Sequence, residues 1–340
     1  MRKGITLLVA TPGRLLDHLK TTEAFQISCL EWIILDEADH LLELGFEESI
    51  IEILKTIRGK RKEGLANPRV ILCSATIQRN VKQLAELTMD KDPLFIQVSK
   101  KESKSIKSKE QLQEISVPAQ LVQSFATVPP KLRLVSLIGL LKHITSSEAE
   151  SHIIIFVSCR DSVDFHYDLL CSTSSIEKYN GDMIPNFSSG LVSSYIPGSK
   201  IYKLHGNMQQ ADRIKSFEGF TKSSESNILL CTDVAARGLD LPNITDIIQY
   251  DPPADIKDYI HRIGRSGRMG RSGKSFLFLL PSEQEYNQIL SSHGLSLLEH
   301  NILPFLHALD KDKNYETAAN NLQSKLENFI LSNQAVSLYY

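Results

Sequence analysis

Apolar residues in this chain fall into short β-branched or leucine-rich runs separated by stretches of helical pattern, the signature of a parallel α/β architecture. In the first part, the runs at 5–10, 32–35, 70–73 and 94–98 predict strands, with helices over 13–20 and 79–87. A second set follows, with strands predicted at 121–126, 153–157, 201–204, 228–231, 246–249 and 275–280. Between the two sets the character changes. Lys100, Lys101, Lys104, Lys107 and Lys109 alternate with Ser and Glu, which is the composition of a solvated tether. A nuclear-import or RNA-contacting tract is the sharper reading of the same lysines. Residues 170–200 are rich in Ser, Gly and Asn and contain Pro185 and Pro197, so they predict an exposed excursion. From about Ser292 the pattern turns helical.

Composition narrows the picture slightly. At 340 residues, two domains or two domains plus an extension are expected. The hydrophobic 42% and charged 23% lie in the range of ordinary globular domains. A net charge of −2 gives no global sign of a polyanion partner, so any nucleic-acid surface must be a local patch. The five cysteines show no C-x-x-C spacing, and Cys29, Cys73 and Cys231 sit in or beside apolar runs, which predicts small buried residues in a reducing compartment. No apolar stretch approaches the ~20 residues of a membrane span. The basic-then-apolar start, Met1-Arg2-Lys3 and then 5–10, runs straight into Thr11-Pro12-Gly13-Arg14. It reads as a strand-to-helix unit rather than a signal peptide.

The chemistry is concentrated at strand exits. Asp36, Glu37 and Asp39 follow directly on the apolar run 32–35. Three acids at the end of a buried strand are costly unless they bind a cation or pair. Nucleotide-hydrolysing sheets need one such carboxylate for Mg²⁺ and another to orient the attacking water. The bland alternative is a solvated loop. The expected companion, a G-x-x-x-x-G-K-[ST] phosphate loop, does not occur in the 340 residues. Gly270 to Ser275 imitates its end, but the required first glycine falls on Arg268 and the segment precedes a strand. Thr11-Pro12-Gly13-Arg14 turns from a strand into a helix and offers backbone N–H groups and a guanidinium to a phosphate. Ser74-Ala75-Thr76 ends a third strand with two hydroxyls. Further on, Thr232 to Asp240 leaves another strand with polar groups. His261-Arg262-Ile263-Gly264-Arg265-Ser266-Gly267-Arg268 sets three arginines and a histidine around two glycines. Helical spacing would put Arg265 and Arg268 on one face, suited to charge developing on a γ-phosphoryl group. A generic basic helix is the bland reading.

Taken together, these motifs in this order resemble the DEAD-box family of ATP-dependent RNA helicases, over nearly the whole chain to about Ser292. The resemblance implies two RecA-like parallel-sheet lobes, the first incomplete, plus a helical C-terminal extension. Their bounds would be 1–98, a 99–118 linker, 119–292 and 293–340. It implies ATP and Mg²⁺ as cofactors. Asp36 would hold Mg²⁺ through water and Glu37 would activate the hydrolytic water. Asp39, Ser74, Thr76 and His261 would couple hydrolysis to strand separation. Asp240 would contact the ribose of ATP, and Arg265 and Arg268 its γ-phosphate. RNA would be held by Thr11, Gly13 and Arg14 in the first lobe. In the second, Ser158, Arg160, Gly206, Gln210, Arg213, Thr232 and Gly238 would take that role. The insertion, Gly45-Phe46 and the extension are similar to the nucleolar ribosome-biogenesis branch. That branch implies pre-ribosomal RNA, ribosome-assembly proteins, a monomer, no membrane, and a nuclear, nucleolar location. The family's adenine-reading Gln motif, phosphate loop and first RNA motif would precede residue 1, so the chain is expected to open midway through its first lobe. Two rivals stay open: a non-catalytic RNA-binding or scaffold fragment, and a DNA helicase of related two-lobe fold.

Overall fold

The computed structural model describes residues 5–60, 66–74, 79–89, 93–96, 120–147, 150–171, 191–193, 195–223, 225–233, 239, 241–267, 272–310 and 314–332. The chain divides into two compact units, Met1–Ser103 and Lys104–Tyr340. The boundary falls in the lysine-rich tract, and the expected linker at 99–118 lies outside the described residues.

The first unit contains α1 (Pro12–Thr21), β1 (Trp32–Leu35), α2 (Ala38–Glu43), α3 (Glu47–Gly59), β2 (Arg69–Leu72) and α4 (Arg79–Thr88). β1 and β2 pair in parallel, from Trp32 opposite Arg69 to Leu35 opposite Leu72. α1 opens on Pro12, whose missing N–H is one the first turn could not use, and closes with His18 and Lys20 near the negative end of the dipole. α3 buries Ile50, Ile53, Leu54 and Ile57, the i, i+3, i+4, i+7 stripe of an amphipathic helix. That stripe is shared between two small cores, one with Leu19 and Ile27, the other with Ala38 and Leu84.

Two expected strands are absent from the described residues. Residues 5–10 and 93–96 are extended or irregular, with Val9 87%, Leu94 86% and Ile96 80% exposed. A strand is defined by a ladder, and neither segment finds one on β1 or β2, so apolar composition alone does not make it a strand.

The second unit is larger. It runs β3 (Leu121–Thr127), α5 (Arg133–Ser147), β4 (His152–Phe156), α6 (Arg160–Cys171), β5 (Leu191–Val192) and β6 (Lys200–Leu204). It continues with α7 (Gln210–Lys222), β7 (Asn227–Cys231), β8 (Asp246–Gln249), α8 (Ile256–Ile263), β9 (Gly273–Leu279) and α9 (Glu285–Ser292). β10 (Leu298–Glu299), α10 (Leu303–His307) and α11 (Tyr315–Ser332) complete it. The sheet order is β10-β3-β9-β8-β4-β7-β6-β5, parallel throughout except for the β5–β6 edge pair.

β4, β7 and β8 are buried along their whole length, as strands covered on both faces must be. Alternation divides their side chains. Ile153, Ile155, Ile228 and Leu230 join α5, α6, α10 and α11 in one core. Ile154, Phe156, Leu229 and Cys231 face the other way, toward Phe220 of α7. Leu277 and Leu279 meet Tyr259 and Ile263 of α8 on that side.

The extension departs from the helical expectation in one respect. β10 adds a parallel strand beside Ser124 and Phe125 of β3 before the helices begin. α10 then sits so close to α5 that a Cβ on Gly139 would lie 2.8 Å from the Phe305 carbonyl carbon. Among the cysteines, Cys231 and Cys171 are buried, but Cys29 and Cys73 are exposed, contrary to expectation. Both lie in the first unit, whose two-stranded sheet covers less of its own surface. Among the described residues no helix is long and apolar enough to cross a membrane.

Candidate nucleotide and RNA site

In the first unit the acids stand where β1 ends. The amide of Ala38 donates to the Cys73 carbonyl at 2.9 Å, and the Cys73 amide donates to Leu35 at 2.8 Å. The ends of β1 and β2 are therefore tied, bringing Asp36 and Glu37 beside Ser74. Asp36 is exposed and its Oδ1 accepts the Glu37 amide at 3.0 Å. Glu37 takes the left-handed conformation, φ 50° and ψ 51°, as it caps α2. Asp39 is buried at 4% exposure, and its Oδ1 accepts the His40 amide at 3.2 Å. The three acids thus separate: Asp36 is exposed, Glu37 half-buried and Asp39 held within the fold. Thr11 precedes α1 without a side-chain cap bond, and Gly13 and Arg14 are exposed on its first turn. Thr76 lies outside the described residues.

In the second unit the parallel sheet does the gathering. β8, β4, β7 and β6 are neighbours, so their exits stand side by side. They deliver Asp251, Ser158, Thr232 with Asp233, and His205 with Gly206 to one edge, where ligands of open α/β sheets bind. Val157 donates to Cys231 at 3.0 Å and Tyr250 to Phe156 at 2.9 Å, which carries the pairing to the rim. Arg160 opens α6, exposed, with Nε 3.1 Å from Asp161. Gln210 and Arg213 fall on the first turn of α7. Gly238, Asp240 and Arg268 lie outside the described residues.

α8 is capped by Asp255, whose side chain accepts the Lys257 amide at 3.0 Å, and it carries His261 and Arg262. It stops at Ile263, so Arg265 does not lie on a helix as expected. Gly267 adopts φ 72° and Ser266 Oγ donates to Ile244 at 3.0 Å, turning the chain away from the helix. Arg265 lies in that turn, its Nη1 on the Leu239 carbonyl at 2.6 Å. The false phosphate loop is also explained, since Gly273 and Lys274 begin β9.

Sequence reasoning passed over the most buried charge of the region. Arg262 is 1% exposed, with Nε and Nη2 on the two carboxylate oxygens of Asp233 at 2.6 and 2.9 Å. Its Nη1 donates to the Asp251 carbonyl at 2.7 Å, and its guanidinium stands 5.1 Å from the Phe156 ring centre. This fork welds the β7 exit to α8. The signal was present: Tyr259, Arg262 and Ile263 share one face of α8, and an arginine on an apolar face implies a buried partner.

A cavity of about 220 Å³ opens nearby at the β6 exit, lined by Asp164, Tyr167, Lys203, His205, Met208 and Asp212 among others. Asp164 fills its polar side, accepting from Lys203 Nζ at 2.5 Å, with His205 Nε2 at 3.3 Å. None of the expected site residues lines it.

Comparison with known proteins agrees with this layout. The family model for the DEAD/DEAH box helicase matches residues 1–84, and that for the helicase conserved C-terminal domain matches 135–270. The chain is 40% identical to the ATP-dependent RNA helicase dbp7 of Schizosaccharomyces pombe, over 98% of this chain and 49% of that protein. It is 42% identical to the ATP-dependent RNA helicase DBP7 of Scheffersomyces stipitis, over 84% of this chain and 41% of the relative. The chain thus spans less than half the length of these relatives. Among solved structures, the DEAD-box helicase Mss116 bound to ssRNA and UDP-BeF superposes with a TM-score of 0.63 at 26% identity, covering 87% of this chain and 55% of that one. With acids, basic turn and strand exits in the same order as the two matched domains, the chain belongs to the DEAD-box family of helicases.

Proposed function

We propose that this chain is part of an RNA helicase that couples ATP binding and hydrolysis to local opening of RNA duplexes in ribosome biogenesis. The observation that carries it is the exit of β1, where exposed Asp36 and half-buried Glu37 are tied through Ala38 and Cys73 to the Ser74 end of β2. Mg²⁺ is commonly held by one or two carboxylates, waters and substrate phosphates. An exposed carboxylate at Asp36 suits that mode. Glu37 orients the attacking water, while Asp39, Ser74, Thr76 and His261 transmit the change. Asp240, Arg265 and Arg268 meet the nucleotide. RNA phosphates and 2′-hydroxyls run along Thr11, Gly13 and Arg14 in the first unit. In the second they follow Ser158, Arg160, Gly206, Gln210, Arg213, Thr232 and Gly238. The lobes are 1–98 and 119–292, joined by 99–118 and followed by 293–340. Pre-ribosomal RNA, ribosome-assembly proteins, a monomeric state and a nucleolar location complete the reading. The relatives' names, ATP-dependent RNA helicases, support the helicase part of this reading.

The 340 residues contain no G-x-x-x-x-G-K-[ST] pattern, which favours RNA binding without ATP turnover for this stretch by itself. A duplex-opening assay on a form that carries a phosphate loop tests the proposal. Glu37→Gln should abolish opening and ATP turnover while leaving RNA affinity near normal. Opening that survives this substitution, or a preference for DNA strands over matched RNA, would overturn it.

A further inference from the structure

The exit of β4 is held by a charge pair of a different kind from the Arg262–Asp233 fork. Asp251 Oδ2 accepts from the amide of Ser158 at 2.7 Å and its Oδ1 accepts from Arg133 Nη2 at 2.8 Å. Both side chains are mostly buried, at 16% exposure for Arg133 and 17% for Asp251. Arg133 also donates to the Tyr250 carbonyl and stacks on the Tyr250 ring, 4.3 Å from its centre. A fork against both carboxylate oxygens would give the pair more binding energy, as Arg262 obtains from Asp233. Here one oxygen is diverted to a backbone N–H, at the residue where the chain leaves the sheet and enters α6.

Two residues later comes Arg160, whose own ion pair with Asp161 is more than half exposed on both sides and so contributes little. Its guanidinium is accessible to a phosphate, while the backbone that carries it is fixed from below. Without the arginine, Asp251 would be a largely buried carboxylate lacking a countercharge, and it would protonate or move.

We propose that Arg133 and Asp251 are positioning residues for RNA: the pair locks the Ser158 amide, and through it the first turn of α6, so that Ser158 and Arg160 meet a phosphate. Neither residue touches RNA itself. This rests on the RNA reading above.

The test is the affinity of the 340-residue chain for a fluorescein-labelled single-stranded RNA, followed by anisotropy at several salt concentrations. Arg133→Met should weaken binding about tenfold with an unchanged salt slope, because no phosphate contact is removed. Arg160→Ala should weaken binding and lower the slope by about 0.7. In the double variant, the effect of Arg133→Met should shrink to less than about threefold, since both changes act on one contact. Arg133→Lys keeps the countercharge and should bind within about threefold of wild type, which preserves the test if the Met variant does not fold. Additive losses, a reduced slope in Arg133→Met, or a folded Arg133→Lys variant as weak as Met would each overturn the assignment. Salt-independent or absent binding by the wild-type chain would defeat the RNA reading itself, and the wild-type titration separates the two failures.

Discussion

Glu37 keeps a side chain in the left-handed region, at φ 50° and ψ 51°, where a Cβ costs about 1–2 kcal/mol. Such strain persists where the surrounding structure imposes it, and here it aims a carboxylate beside Asp36. Replacing Glu37 with Gly should therefore leave the first unit about 1 kcal/mol more stable than replacing it with Ala. Trp32, the sole tryptophan, lies in β1 and reports unfolding in urea. Equal midpoints for the two variants would mean that the strain is absent in solution. His166 gives a second measurement. It is buried against Tyr250, with Nδ1–H donating to the Ser162 carbonyl at 2.7 Å. Burial, helped by the repulsion of Arg133, lowers its pKa below the ordinary 6.5 and outweighs the bond to Ser162 and the attraction of Asp251. The unfolded chain then binds a proton that the folded chain refuses, so stability falls as pH drops through about 6.5. His166→Gln should flatten that part of the stability curve, and an unchanged slope would refute it. Arg262 was passed over, although its place on an apolar helix face could have marked it. The Arg133–Asp251 pair was not legible, because its members are 118 residues apart and neither belongs to a periodic pattern.

Among the elements, the long apolar runs of the second unit were readable to within a residue or two, because strands buried on both faces leave an unbroken hydrophobic signature. β10 was not, since two residues carry no period. Residues 5–10 had the composition of a strand without the partner that makes one. Gly139 shows what contact at this scale demands. α5 and α10 approach so closely there that only hydrogen fits beneath the Phe305 carbonyl. Alanine favours a helix over glycine by about 0.8–1.0 kcal/mol. Overpacking against backbone typically costs about 1–3 kcal/mol, so steric cost should win. Gly139→Ala is expected to lose about 1–2 kcal/mol in urea unfolding, and any gain in stability would show that α10 can retreat.

At the scale of the molecule, the two units should differ in stability. The first rests on a two-stranded sheet whose Trp32, Ile34 and Ile71 remain 47%, 59% and 40% exposed. An isolated strand pair is marginal in water. Among the described residues the second has eight strands and helices on both faces. Hydrogen exchange should show fast opening of β1 and β2 and strong protection along β4 and β7. Comparable protection in both units would mean that the small sheet is shielded by contacts not captured in its own fold. The division into two α/β sets was visible in the change to lysine-rich composition near residue 100. The size of the second core was not, because its covering helices lie at the end of the chain.

That placement sets a timetable for synthesis. Leu326 of α11 shares a core with Val135 of α5, and β10 closes against β3, whose first residue is Leu121. Roughly two hundred residues separate the two ends of this core along the chain. At ribosomal speeds of about 5–20 residues per second, the face of α5 under α10 and α11 waits roughly 10–40 s for its cover. During that interval the nascent chain offers the α5 surface around Gly139 and His143 to whatever chaperone is within reach. A stop codon anywhere before α11 makes that exposure permanent.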